Sequence, residues 1–79
     1  MAHFARINTD DIVEQVIVIS DDDCGGGQFP ESEPIGQAFI ASLGLTGTWL
    51  QTSYNANFRG QYAAIGGKYD QETDTFTNG

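Results

Sequence analysis

Basic side chains are scarce in this sequence. Arg6, Arg59 and Lys68 stand against eleven acids, for a net charge of −8 over 79 residues. A phosphate backbone is gripped by clustered Lys and Arg, so three scattered cations argue against nucleic acid and against an anionic membrane. Cysteine is scarcer still. Cys24 stands alone, which rules out an internal disulfide and with it a disulfide-stapled extracellular scaffold. His3 is the single histidine, and with Cys24 it falls short of a structural zinc set. No apolar run approaches the roughly 20 residues of a membrane-spanning helix, and the start of the chain lacks a secretory-leader pattern.

These absences matter because the chain is short. A domain of this size buries only about 60% of the surface its unfolded chain exposes. Disulfides and a structural metal are the usual supports for such a core, and the composition removes both. Partner chains are the support that remains. The acidity is compatible with plain solubility and with a basic partner surface.

The expected fold is α+β: a small single domain of antiparallel β-hairpins with one short helix packed on the sheet. It divides into a hairpin over 2–20, a loop over 21–31, a helix over 32–44 and a strand-rich aromatic segment over 46–78. Ala2 to Asn8 reads as a first strand, ended by the turn-forming run Asn8-Thr9-Asp10-Asp11. Ile12 to Ser20 is the strongest strand. Alternation places Val13, Ile17 and Ile19 on one face and Ile12, Val16 and Val18 on the other. Two apolar faces imply cover on both sides, by the helix on one and by another subunit on the other. Asp21 to Pro30, with three acids and three glycines, reads as a loop without helix or strand. Ser32 is placed to cap the helix, with Glu33 and Pro34 in its first turn and Gly44 as its stop. Ile35, Phe39, Ile40 and Leu43 make the stripe expected to pack on the sheet, with Ile17 and Phe39 as core. Further on, Trp49 to Tyr54 reads as a strand and Tyr62 to Ile65 as extended. Lys68-Tyr69 and Thr75-Phe76-Thr77 read as a second hairpin with an acidic connection.

Candidate catalytic chemistry fails residue by residue. Gly25-Gly26-Gly27 lacks the Lys-Ser/Thr of a phosphate loop, and Asp21, Asp22 and Asp23 repel phosphate. Cys24 has no sequence motif pairing it with His3, and its acidic neighbours raise a thiol pKa. Glu31 and Glu33 have the ordinary role of acids at a helix start. Asp70, Glu72 and Asp74 are weak candidates for a metal, since period-two spacing puts them on one side of an extended segment. The twelve-residue calcium loop is absent, however, and a solvated turn is the preferred reading. No cofactor and no enzymatic activity are expected.

The aromatic half is the most informative stretch. Six of the nine aromatics fall between Thr48 and Phe76 in a polar, Asn- and Gly-rich context. Trp49, Tyr54, Phe58 and Tyr62 with Arg59 could stack on a carbohydrate or a single strand. The preferred reading is that they complete a small core and an intersubunit contact, where Tyr, Trp and Arg are enriched.

The same residues carry a resemblance. The opening Met1-Ala2-His3-Phe4-Ala5 and the run Glu14-Gln15-Val16-Ile17-Val18 begin it. Thr48-Trp49-Leu50-Gln51-Thr52-Ser53-Tyr54-Asn55, Asn57-Phe58-Arg59, Tyr62-Ala63-Ala64-Ile65-Gly66 and Tyr69-Asp70 follow, ahead of Asp74 and Phe76. In this order the chain resembles a family of small proteins of tailed bacteriophages, cyanophages prominent among them. The resemblance spans most of the chain apart from residues 20 to 34. It implies a virion structural protein, assembled in the host cytoplasm, that binds other phage structural proteins such as the major capsid protein, or copies of itself. A capsid decoration or cement protein fits best. The alternatives are a tail, fibre or neck accessory protein and an assembly factor absent from the mature particle. Many such relatives continue past the position of Phe76 into a Pro- and Trp-containing tail, whereas this sequence ends at Gly79.

Overall fold

The structure, a computed structural model, describes residues 2–77; Met1, Asn78 and Gly79 lie outside the described residues, including the last position of the expected aromatic segment. The fold is α+β. Strands β1 (Ala2–Ile7), β2 (Val13–Ile19) and β3 (Thr48–Thr52) form an antiparallel sheet in the order β2-β1-β3, with β1 central. The helix α1 (Ser32–Ser42) lies in the connection from β2 to β3. A second hairpin pairs β4 (Lys68–Asp70) with β5 (Thr75–Thr77), as the sequence leads one to expect.

The first hairpin forms because Asn8 is a turn residue. Its side-chain oxygen accepts hydrogen bonds from the N–H groups of Asp10 and Ile12, the local bonding that Asn offers at a turn. The pairing then runs from Ala2 opposite Ile19 to Ile7 opposite Val13, with one irregularity. Gln15 faces Arg6 and Val13 faces Ile7, so Glu14 is an extra residue, a β-bulge. Beyond it the alternation changes phase. Val13 therefore joins Val16 rather than Ile17 and Ile19, contrary to simple period-two counting.

Each face of the sheet has its own core. On the helix side Ala2, Phe4, Ile19, Cys24, Ile40 and Trp49 are buried together, with Ile17 and Phe39 partly buried at the rim. On the other side Ala5, Ile7 and Val13 pack with Ala63, Tyr69 and Phe76. Around Ala5, Ile7 and Val13 the second face is thus covered by the chain's own C-terminal segment, where two apolar faces had suggested another subunit. Backbone bonds attach this segment to the start of β2. Val13 donates to the Gly67 carbonyl at 2.9 Å, and Gly66 donates to the Val13 carbonyl at 2.8 Å.

Local expectations are corrected at several points. The helix starts after Glu31, and Ser32 makes no capping bond. Ser32 is instead buried and donates to Gln51 Oε1 at 2.7 Å, joining α1 to β3. Of the expected stripe, Ile40 is fully buried and Phe39 partly so, whereas Ile35 and Leu43 are about half exposed at 47% and 55%. The buried line is Ser32, Gly36 and Ile40, spaced by four residues and therefore on one face. A Cβ on Gly36 would overlap the Phe4 ring and come within 3.0 Å of Cys24 Sγ. The helix lies that close to β1. Residues 22–24 form a short 3-10 turn, α1's neighbour, which drops Cys24 into the core. Tyr62 to Ile65 takes no strand conformation, and β3 ends at Thr52, leaving Tyr54 in a turn.

Candidate functional site

The structure divides the five expected interface residues among four settings. Trp49 is 5% exposed, inside the helix-side core, and its indole N–H donates to the Thr46 carbonyl at 3.2 Å. Phe58 stacks on Phe29 with ring centroids 4.0 Å apart and planes 3° from parallel. Tyr54 and Tyr62 form a third group with His3. Tyr54 stacks on the imidazole at 5.6 Å, Tyr62 meets it edge-on at 5.6 Å, and the two phenol rings lie 5.2 Å apart. Tyr54 and Phe58 line one open cleft, together with Ala2, His3 and residues Gln51 to Asn55 and Asn57.

Arg59 sits at the centre of the arrangement. Its side chain is only 9% exposed. The guanidinium forms a two-pronged ion pair with Glu33 in the first turn of α1, donating through Nη1 to Oε2 and through Nη2 to Oε1, the latter at 3.3 Å. Nη1 also donates to the Gln51 carbonyl of β3 at 3.0 Å, and Nε to Asp74 Oδ1 in the β4–β5 turn at 2.9 Å. The Phe29 ring lies beneath it, 5.0 Å from the guanidinium carbon. One planar fork thus holds the helix, β3 and the second hairpin together, a geometry a point charge could not supply. Burial works against the charge, but the Glu33 hydrogen bond and the Glu33 and Asp74 carboxylates outweigh it, and the net shift of the Arg59 pKa is upward. Arg59, expected in an intersubunit contact, thus has its guanidinium engaged by the chain's own Glu33, Asp74 and Gln51, where it holds the fold.

The same knot closes the outer edge of β3. Gln51 donates its N–H to Glu33 Oε2 at 2.9 Å, while its carbonyl is taken by Arg59. The Trp49 carbonyl accepts from Gln37 Nε2 at 2.6 Å. Side chains thus take the Trp49 carbonyl and both backbone groups of Gln51, which another strand would use.

Asp70, Glu72 and Asp74 do not act as a set. Residues 71–74 turn, so period-two spacing on an extended segment does not apply. Asp74 is engaged by Arg59 and by the Tyr69 hydroxyl, and Asp70 accepts from the Glu72 N–H at 2.9 Å. Among the described residues no three His, Cys, Asp or Glu side chains come together as metal ligands. Burial, then the Asp74 hydrogen bond, pushes the Tyr69 phenol up to about 12. Burial also raises the Cys24 thiol, with Asp21 and Asp23 adding to it, and burial lowers His3.

Sequence reasoning missed Glu33, Gln51 and Phe29 as Arg59's partners. The available signal was Arg59 itself, one of three cations in an acidic chain. Compared with known proteins, the chain matches no protein-family model, no curated protein and no solved structure.

Proposed function

We propose that the protein is a non-enzymatic structural component of a tailed-bacteriophage virion, a decoration or cement protein of the head, that docks through the aromatic face of Tyr54. The phage assignment rests on the resemblance carried by residues 48–76 and by the first hairpin. The observation that supports docking is the exposure of Tyr54. This large ring is 67% exposed, yet it is not loose, being stacked with His3 and Tyr62 at the mouth of a cleft. A pre-ordered ring with a polar hydroxyl suits an interface anchor, because little side-chain freedom remains to be lost on binding. Ser53, Asn55 and Asn57 supply polar groups around it. The ion pairs of Arg59 hold the neighbouring turn to the rest of the fold, so the platform is rigid from beneath.

The test is quantitative protein analysis of purified particles. The chain should be present in many copies relative to the major capsid protein. Tyr54→Ala should lower that number severalfold while the isolated protein stays folded by circular dichroism, since most of the ring lies outside the core. Absence from purified particles would overturn the virion reading. Full incorporation of Tyr54→Ala would overturn the docking face.

A further inference from the structure

The two edges of the main sheet are unlike. At β3, Gln51 and Trp49 point their backbone groups outward, where Glu33, Arg59 and Gln37 take them. Their neighbours Leu50 and Thr52 must then bond Ala5 and His3 of β1, because outward and inward residues alternate along an antiparallel strand. Ala5 and His3 consequently have no backbone groups left for Val16 and Val18, which stand opposite them on β2. The N–H and C=O groups of Val16 and Val18 point off the sheet. Among the described residues no hydrogen bond reaches them from outside it. The C-terminal segment covers this edge only as far as Val13, through Gly66 and Gly67, with Lys68 opposite Ile12.

The flanks of the open edge are apolar on both faces. Val18 is 48% exposed on one. On the other, Ile35, Phe39 and Leu43 run along the side of α1 turned away from Glu33 and Gln37, which reach to β3, and Phe39 shares its core with Ile17. An open edge with uncharged apolar residues is a template for strand addition.

We propose that this edge binds a second copy of the chain, β2 against β2, antiparallel and centred on Ile17. In that register Val16 of each copy exchanges backbone hydrogen bonds with Val18 of the other. Ile17 faces Ile17 and Glu14 meets Ser20, so within the span that can pair, Glu14 to Ser20, no like charges stand opposite. The next register, with Val18 facing Val18, would set Glu14 against Asp22, which lies in the 3-10 turn and not on the strand, and so would leave part of the edge unpaired. In the Ile17-centred register the pairing ends at Ser20, where the chain turns out of the sheet. The turn at Asp21 and Asp22 of each copy thus abuts the end of the cover by residues 66–68 on the other, an acid–base match that uses Lys68, one of the chain's three cations. The exposed flanks of α1 meet across the twofold axis. The interface is isologous, each contact occurring twice. It goes beyond the virion reading and does not depend on it.

Sedimentation equilibrium of the full chain over a range of concentrations, at an ionic strength of about 0.15 M so that the like net charges are screened, tests it. A monomer–dimer equilibrium is expected. Val18→Lys, at a half-exposed site, should give a folded monomer by circular dichroism, and Tyr54→Ala should leave the dimer unchanged. Lys68→Glu should weaken the dimer, and Lys68→Glu combined with Asp22→Lys should restore it. A wild-type chain that stays monomeric at all concentrations overturns the proposal, as does a dimer indifferent to Val18→Lys. Particle incorporation is not the readout, so failure of the virion assignment leaves this result standing.

Discussion

Gly36 rests on the ring of Phe4 with no room for a methyl group between them. This contact sets the height of α1 above the sheet. It also reverses the usual effect of glycine in a helix, where Ala is favoured by about 1 kcal/mol. Gly36→Ala should therefore destabilise the protein, because overpacking costs about 1–3 kcal/mol. Denaturant unfolding will measure it. Combining the change with Phe4→Leu should cost less than the two single changes added together, since the smaller side chain frees the space.

Removing Arg59 should cost far more than removal of an exposed cation. Arg59→Ala leaves Glu33 with little solvent and without its partner, a loss on the order of 3 kcal/mol for a buried pair. Arg59→Lys should recover little of this. An ammonium cannot serve both oxygens of Glu33, Asp74 and the Gln51 carbonyl at once. Equilibrium unfolding of the two variants is the comparison, and near-wild-type stability in Arg59→Lys would show that the fork geometry does not matter.

Alkaline stability should depend on Tyr69. Its folded pKa, about 12, lies above the ordinary value of 10.0. The fold thus favours the protonated phenol. Its contribution is complete below pH 10.0 and is lost as the pH rises towards about 12. Tyr69→Phe keeps the ring and removes the titration, so its unfolding midpoint should fall less steeply over that range. Tyrosinate absorbance followed during the titration checks the assignment.

His3 acts in the opposite direction. Burial lowers its pKa below the ordinary 6.5, so the unfolded chain takes up a proton more readily than the folded one. The neutral ring's contribution is present above pH 6.5 and declines as the pH falls below it. Thermal unfolding of His3→Gln should show a flatter dependence on pH in that range.

Cys24 should resist thiol reagents in the native protein. It is 1% exposed, and burial beside Asp21 and Asp23 disfavours the thiolate. Its labelling rate should follow the unfolded fraction as denaturant is added. Fast labelling without denaturant would show that the 3-10 turn opens on its own.

The elements legible in the sequence were those set by local chemistry. Asn8 marked the first turn, Gly44 the end of the helix, and residues 70–74 the second turn. What stayed hidden depended on contacts between distant residues. The strand from Ile12 to Ile19 is apolar on both faces, so its pattern could not reveal the change of phase at Glu14. Nothing in the sequence marks Gly36 as buried, because only the position of Phe4 makes its lack of a side chain useful. Likewise Ser32 carries the signature of a cap, yet Gln51, nineteen residues away, claims its hydroxyl. At the candidate site, Tyr54, Phe58 and Tyr62 could be picked out by residue type. Their division into two ring stacks could not, since Phe29 and His3 supply the other halves from separate parts of the chain.

The side-chain cover over β3 has a consequence for growth. A sheet open at both edges can recruit copies without limit, and acidic, valine-rich strands at high local concentration would then run into filaments. With Glu33, Arg59 and Gln37 acting as a terminator on one side, any chain added by strand pairing presents only its own sealed edge outward. Strand-to-strand assembly through this sheet stops at two, and larger arrays must be built through other surfaces.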